Sequence, residues 1–241
     1  MSELLVTREG PVTTLTLNRP DKANALSASL VEALHEAVGD ATKQAADAPR
    51  LLVLRGEGRN FCAGFDFQGF EEQSPAELAW RFVRIEQLLQ WFYHAPCATL
   101  ALAQGGCFGA GADLLLGCDE RVISPETRLR MPGWKFGLAL GTRRLAARIG
   151  PGPARQLLRA AAVVDAPEAQ RLGLATQVAE AGAWPAQIAR AETAAQSLTA
   201  EAQGRLHGLT LSDTRAADMA ALVESLTAGD LKARICAFRA L

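Results

Sequence analysis

The chain has 241 residues, of which 49% are hydrophobic and 21% charged. Its 25 lysines and arginines nearly balance its 26 acids, which argues against a nucleic-acid binder with a basic surface. The apolar fraction excludes a disordered chain, and no apolar run approaches the roughly 20 residues of a membrane span. The first residues show no secretory signal. We therefore expect a cytoplasmic protein with neither a nucleic-acid nor a membrane partner.

The N-terminal part of the chain alternates predicted strands and helices. Apolar runs and turn residues predict strands at 4–8, 12–17, 51–54, 97–103 and 120–124. Helical spacing predicts helices at 27–38, 74–93 and 109–117. The second helix has a sharp start, because Ser74 can cap it, Pro75 suits its first position and Glu77 can close a capping box.

Beyond Gly141 the strand pattern fades and alanine, a strong helix former, becomes abundant. Helices are predicted at 142–149, 152–162, 167–172, 184–198, 214–226 and 231–241. The fold class is therefore α/β, with a core over residues 1–180 and a helical region over 181–241.

The cysteines and histidines do not form a metal or disulfide pattern. The cysteines are odd in number and lack CxxC spacing: Cys62, Cys97, Cys107, Cys118 and Cys236. Reduced, buried thiols are expected, and no metal site is predicted.

Two glycine-containing segments, 60–67 and 105–113, each follow a buried predicted strand. A helix N-terminus leaves backbone N–H groups free, and a second N–H from another loop would complete an oxyanion hole. Each segment alone is more typical of a tight strand-to-helix turn than of a functional site. The second segment lacks the third glycine of a dinucleotide fingerprint.

Taken together with residues 17–26, the segments 61–66 and 105–119 resemble, in order and spacing, the enoyl-CoA hydratase/isomerase family, also called the crotonase superfamily. Residues 171–178 resemble it as well, so that the resemblance covers nearly the whole chain. It implies a spiral of ββα turns with a C-terminal helical trimerisation region, commonly assembled as a trimer or a dimer of trimers. It also implies an acyl-CoA thioester as the substrate, with coenzyme A as part of that substrate and no separate cofactor.

The resemblance also assigns roles to individual residues. The backbone N–H groups of Phe65 and Ala110 would form the oxyanion hole, although many relatives have glycine at the second position. The remaining substrate- or CoA-binding positions are Lys22, Ala23, Asn24, Ala25, Ala63, Gly64, Gly109 and Trp134. Of these, Trp134 is a pocket wall rather than a catalytic group. The neighbouring Lys135 is either a surface charge or a contact to a CoA phosphate.

The sequence departs from the family at both catalytic glutamates. Asp113 stands at the first position, where it either faces the acyl group or merely caps the helix start. Gly133 stands at the second, and no acid lies between Glu126 and Asp165. Asp113 is therefore the only evident acid/base, and hydration by two carboxylates becomes less favoured than in a typical relative.

Three hypotheses follow from this departure. The first is an enzyme that stabilises a thioester enolate and uses Asp113 for hydration, isomerisation or a related lyase step. The second is a decarboxylase or hydrolase of an acyl-CoA thioester. The third is a catalytically silent CoA-thioester-binding homologue.

Overall fold

The computed structural model describes residues 2–43 and 50–240 of the chain. Its strands are β1 (Leu4–Glu9), β2 (Val12–Leu17), β3 (Leu51–Gly56), β4 (Ala98–Ala103), β5 (Gly106–Phe108), β6 (Glu120–Ile123), β7 (Arg128–Arg130), β8 (Val164–Asp165) and β9 (Gln177–Val178). Its helices are α1 (Ala28–Lys43), α2 (Pro75–Tyr93), α3 (Ala110–Gly117), α4 (Thr142–Ile149), α5 (Pro151–Ala160), α6 (Ala166–Leu172), α7 (Trp184–Gln196), α8 (Ala200–Thr210), α9 (Arg215–Thr227) and α10 (Leu231–Arg239).

The predicted strands and helices are confirmed to within a few residues at their ends, except at α1, which runs five residues further than predicted. The capping box of α2 is present, with Ser74 accepting from the Glu77 N–H and Glu77 accepting from the Ser74 N–H. Beyond Gly141 the predicted helices are accompanied by two short strands, β8 and β9, which were missed. These two strands and β5 and β7 have only two or three residues each, too few to produce a periodic pattern. Helix α8 was also missed, and Leu241, the end of the last predicted helix, lies outside the described residues.

The main sheet has six strands in the order β1-β2-β3-β4-β6-β9. Within this sheet β1 and β2 pair antiparallel, and the neighbours from β2 to β3, β4, β6 and β9 pair in parallel. Leu51 of β3 lies opposite Val12 of β2 and Ala98 of β4. Parallel strands that are covered on both faces are continuously apolar, which explains the uninterrupted run Leu51–Leu54.

The two faces of this sheet pack in two separate apolar clusters. Leu52 and Leu54 point into the larger cluster, which also contains the buried faces of α1, α2 and α3. Leu51 and Val53 point into the smaller one, where α7 covers the sheet through Trp184. The alternation follows from the two-residue period of a strand.

A second, three-stranded sheet, β5-β7-β8, winds beside the first. The chain repeatedly forms a strand in the main sheet, a short strand in the second and then a helix, as in β4-β5-α3 and β6-β7-α4. This arrangement confirms the predicted spiral of ββα turns. An isolated bridge between Cys62 and Cys107 ties the loop after β3 to β5, so that the two glycine-containing segments lie side by side.

The last two helices, α9 and α10, pack into the larger apolar cluster that the preceding elements form. Leu222 and Leu226 of α9 and Leu231 and Ile235 of α10 belong to the larger apolar cluster. The Phe238 ring of α10 lies 5.1 Å from that of Phe136. The last helix therefore closes over the loops that follow β7, on the same chain.

Two expectations about the surface and the thiols can be compared with the structure. Among the described helices none is long and apolar enough to cross a membrane. All five cysteines are free, as predicted, and four are buried. The expectation of burial was wrong for Cys236, which lies on the exposed side of α10.

Candidate active site

A small cavity of about 80 Å³ lies where the two glycine-containing segments meet the loop after β7. Aromatic and aliphatic side chains form most of its wall, and within the described residues Asp113 is the only carboxylate that lines it. Of the predicted site residues, the structure brings six to this wall: Ala63, Phe65, Gly109, Ala110, Asp113 and Trp134. An apolar cavity with a single ionisable group is a typical candidate for an active site.

The backbone N–H groups of Phe65 and Ala110 both lie at this cavity. Ala110 is the first residue of α3, and Gly109 before it has φ +52°, which turns the chain sharply into the helix. Within residues 2–43 and 50–240, neither N–H donates a hydrogen bond. Two unpaired donors at the wall of an apolar cavity are costly unless a ligand accepts from them.

Gly64 explains why the two loops approach so closely. It has φ +87°, and a Cβ atom at this position would lie 2.5 Å from the Phe108 carbonyl oxygen and 3.2 Å from the Ala110 nitrogen. Only a glycine therefore allows the Phe65 N–H to be carried up against the start of α3. The structure therefore gives Gly64 a packing role between the two loops, and its role in substrate or CoA binding stays a prediction.

Asp113 lies one helical turn after Ala110, with only 4% of its surface exposed. Among the described residues no N–H at the start of α3 donates to its side chain, and its role at the acyl group stays a prediction. Its Oδ1 atom is buried and, among the described residues, has no hydrogen-bond partner. Burial raises the pKa of Asp113 to about 7. The group is therefore able both to accept and to donate a proton near neutral pH.

A buried charge cluster lies behind Asp113. The Arg144 guanidinium of α4 donates to Glu86 of α2 at 2.8 and 2.5 Å and to Asp218 of α9 at 3.4 Å. Arg144 opposes the effect of burial on the pKa of Asp113, whereas Glu86 adds to it. The pair therefore modulates, from outside the cavity, a pKa that burial raises.

Gly141 is a site residue that sequence reasoning missed. It has φ +64°, and a Cβ atom there would lie 1.6 Å from Asp113 Oδ1 and 2.5 Å from Asp113 Cγ. The carboxylate therefore occupies the space where any other residue at 141 would place its side chain. The sequence offers no signal for this contact, because it depends on how α4 packs against α3.

The loop of residues 22–25 lies outside the cavity wall but next to it. The Ala63 N–H donates to the Ala23 carbonyl oxygen at 2.9 Å, so the loop borders the first glycine-containing segment. Asn24 is fully buried, and its amide donates to the carbonyl oxygens of Glu57 and Asn60. Its side chain therefore holds the loop, while Lys22 is exposed to solvent. The role of residues 22–25 in CoA binding stays a prediction.

The segment after β7 forms the remaining wall. Gly133 lines the cavity at the position where the family resemblance expects a glutamate. Trp134 next to it is 45% exposed and donates from Nε1 to Thr142 Oγ1 at 3.0 Å. Its indole lines the cavity, and its role as a wall rather than a catalytic group stays a prediction. Over the described residues no group of three metal-ligating side chains is found.

The site thus combines a buried carboxylate with two backbone N–H groups that have no acceptor among the described residues, on a spiral of ββα turns. Comparison with known proteins identifies the class of enzyme to which this arrangement belongs. The model of the enoyl-CoA hydratase/isomerase family matches residues 7–238. The chain therefore belongs to this family, whose members are lyases and isomerases of acyl-CoA.

Individual relatives cover most of the chain. It is 34% identical over 190 residues to the "Probable enoyl-CoA hydratase echA6" of Mycobacterium leprae, covering 76% of this chain and 75% of that protein. A crystal structure of a Bordetella parapertussis protein assigned as an enoyl-CoA hydratase/isomerase has 45% identity and a TM-score of 0.97 over 100% of both chains. A Thermobifida fusca protein assigned as an enoyl-CoA hydratase, solved in complex with acetoacetyl-CoA, has 26% identity and a TM-score of 0.78, covering 93% of this chain and 95% of that one.

Proposed function

We propose that the chain moves the double bond of an enoyl-CoA through a thioester enolate, with Asp113 as its single acid/base. The observation that carries this proposal is the placement of one buried carboxylate and two unpaired backbone N–H groups at the wall of one apolar cavity. The Thermobifida relative, which was solved with acetoacetyl-CoA, supports an acyl-CoA as the ligand. The reaction uses no cofactor besides the coenzyme A of the substrate.

The backbone donors act on the thioester oxygen. When Asp113 removes a proton from the acyl Cα atom, the electron pair of the C–H bond moves into the thioester and gives its oxygen negative charge. Fixed N–H groups at Phe65 and Ala110 stabilise that charge, and removal of one such donor typically slows a reaction about 10²- to 10³-fold. The water-poor wall of aromatic side chains strengthens this interaction.

One carboxylate is sufficient for isomerisation. Protonated Asp113 returns its proton to the Cγ atom, so that a 3-enoyl thioester becomes a 2-enoyl thioester and the carboxylate is regenerated. Hydration needs in addition a group that activates water, and within the described residues the cavity wall offers no second carboxylate. The pKa of Asp113 near 7 suits a group that both takes and gives the proton.

The first experiment compares isomerisation of trans-3-hexenoyl-CoA with hydration of crotonyl-CoA. We expect the wild type to isomerise the first faster than it hydrates the second. Asp113→Asn should lower isomerisation about 10²- to 10⁴-fold while it retains binding of hexanoyl-CoA. Glu126→Gln, which neutralises an exposed acid, is the matched control and should leave the rate unchanged.

Two outcomes would contradict the proposal. Full isomerisation by Asp113→Asn would show that another group transfers the proton. Tight binding of hexanoyl-CoA by a wild type that neither isomerises nor hydrates would favour a silent thioester-binding protein instead.

A second experiment tests the backbone donor at Ala110. Proline has no N–H but suits the first position of a helix, so that Ala110→Pro removes the donor at the start of α3. We expect a rate loss of about 10²-fold or more, whereas Ala110→Ser, which keeps the N–H, should lose far less. Equal rates for the two variants would exclude the Ala110 N–H as an oxyanion donor.

We also propose a homotrimer, alone or paired into a hexamer. Helix α8 exposes Leu206 and Leu209, the latter with 84% of its surface free, and an apolar patch of this kind is typical of a subunit contact. Light scattering after size exclusion should give three or six times the mass of 25.6 kDa, and a monomer at micromolar concentration would contradict it.

A further inference from the structure

A second and much larger pocket adjoins the candidate active site. Its volume is about 590 Å³, against about 80 Å³ for the cavity that holds Asp113. Trp134 and Leu158 line both spaces, so that these two side chains form the partition between them. Ligand pockets commonly measure 300 to 1,000 Å³, a range that includes the larger space and not the smaller one.

The larger pocket combines an apolar floor with a cationic rim. Ala146, Pro151, Ala154 and Leu158 contribute the apolar lining, here called the floor, and Lys135, Arg155 and Arg159 contribute positive charge. No aspartate or glutamate lines it in the part of the chain that the structure describes. An apolar space with unneutralised cations is complementary to a ligand with a hydrocarbon body and an anionic end.

The origin of this charge is the stretch of residues 127–164, which contains no acid. Its eight basic residues are Arg128, Arg130, Lys135, Arg143, Arg144, Arg148, Arg155 and Arg159. Five of them are engaged within the fold, for example Arg144 with Glu86 and Arg130 with the Ala161 carbonyl oxygen. Among the described residues, Lys135, Arg155 and Arg159 make no ion pair or side-chain hydrogen bond, and all three border the pocket.

Trp134 is placed to separate or join the two spaces. Its indole is held by one hydrogen bond, from Nε1 to Thr142 Oγ1, and nearly half of its surface is exposed. Rotation of the indole would break that single hydrogen bond. The acyl chain of a thioester bound at Phe65 and Ala110 would then continue past Leu158 into the larger pocket.

We propose that this pocket receives the far end of the acyl chain and selects acyl-CoA thioesters with a carboxylate at that end. The proposal rests on the proposed function only in taking an acyl-CoA as the ligand. The floor accepts methylene groups, and Arg155 and Arg159, which lie four residues apart on one face of α5, pair with the terminal carboxylate.

Binding measurements test the proposal without turnover. Saturated thioesters have no double bond to hydrate or move, so calorimetric titration can compare decanoyl-CoA with the 9-carboxynonanoyl-CoA of equal chain length. We expect the wild type to bind the ω-carboxyl thioester about fivefold or more tightly, because two guanidinium groups can share its carboxylate. The double variant Arg155→Gln and Arg159→Gln should lose that preference.

Arg128→Gln is the matched control. Arg128 belongs to the same acid-free stretch, but its guanidinium donates to the carbonyl oxygens of Pro125 and Thr127 and does not line the pocket. The control should keep the preference. Ala146→Leu, at a position that lines only the larger pocket, should weaken both ten-carbon ligands while butyryl-CoA binds as before.

The possible results show whether the arginines contact the terminal carboxylate of the acyl chain or the phosphates of coenzyme A. A wild type with no preference for the ω-carboxyl ligand would overturn the proposal. So would an equal loss of affinity for unacylated coenzyme A in the double variant, since the arginines would then contact CoA phosphates. Failure of the proposed isomerisation would leave these binding results unchanged, so the two proposals can fail independently.

Discussion

Gly141 provides the sharpest perturbation of the site, because its missing side chain makes room for Asp113. The Cβ atom of Gly141→Ala would lie 1.6 Å from Asp113 Oδ1, far inside any contact distance, so the carboxylate must move. A displacement of about 1 Å at a catalytic group costs on the order of 10²-fold in rate. We therefore expect isomerisation to fall about 10²-fold in this variant, while the fold persists.

Two effects on stability must be separated in the same variant. An alanine at φ +64° costs about 1 to 2 kcal/mol from its backbone alone, and the overlap with the carboxylate adds about 1 to 3 kcal/mol. Gly10→Ala is the matched control, because Gly10 has φ +56° and nothing lies within 4 Å of its Cβ position. Gly10→Ala should lose only the 1 to 2 kcal/mol of the backbone effect and should keep full activity.

A double-mutant cycle in urea unfolding measures the overlap directly. Gly141→Ala should lower the free energy of unfolding less in an Asp113→Ala background than in the wild type, because the new methyl group then has space. The difference between the two losses should be about 1 kcal/mol or more. Equal costs in both backgrounds, or a Gly141→Ala enzyme as active as Gly10→Ala, would refute the contact between residue 141 and the carboxylate.

The remaining predictions concern the electrostatics and the loops of the site. The pKa of Asp113 is raised from 3.8 to about 7, so its contribution to stability is complete below about pH 4 and is lost as the pH rises to about 7. The free energy of unfolding of the wild type should therefore fall across this window relative to Asp113→Asn, and parallel curves in urea would contradict it. Glu86→Gln leaves the buried Arg144 charge under-compensated and should cost about 3 kcal/mol. The same change removes a negative charge that raises the pKa of Asp113, so the midpoint of the pH–rate profile should move to lower pH. Asn24→Ala leaves buried carbonyl groups unpaired and should cost about 2 to 4 kcal/mol in thermal or urea unfolding, whereas Lys22→Ala, at an exposed position, should leave unfolding unchanged.

Much of the fold was predictable because its main elements are long and periodic. The run Leu51–Leu54 indicated a strand covered on both faces, and the capping box at Ser74 fixed the start of α2. The strands of two or three residues were not predictable, because they exist only through their partners in the second sheet. The packing of α9 and α10 into the larger apolar cluster could not be derived from local patterns either, because it depends on contacts with residues far away in the sequence.

The site divides in the same way. Phe65, Ala110 and Asp113 were found from a glycine-rich pattern and from family resemblance, and the structure places all three at one cavity. The contact between Gly141 and Asp113 and the burial of Arg144 with Glu86 were missed, since each depends on packing between distant helices. The sequence did show an acid-free stretch, but only the structure shows which of its cations remain unpaired.

The central claim is that one carboxylate and two backbone donors converge on a bound thioester. A crystal structure of the Asp113→Asn variant with trans-3-hexenoyl-CoA tests it most directly. The account predicts the thioester oxygen about 2.7 to 3.1 Å from the nitrogens of both Phe65 and Ala110. It also predicts the side chain at position 113 within about 3.5 Å of the acyl Cα atom. A thioester oxygen that contacts neither donor, or a residue 113 that faces away from the acyl chain, would contradict the account.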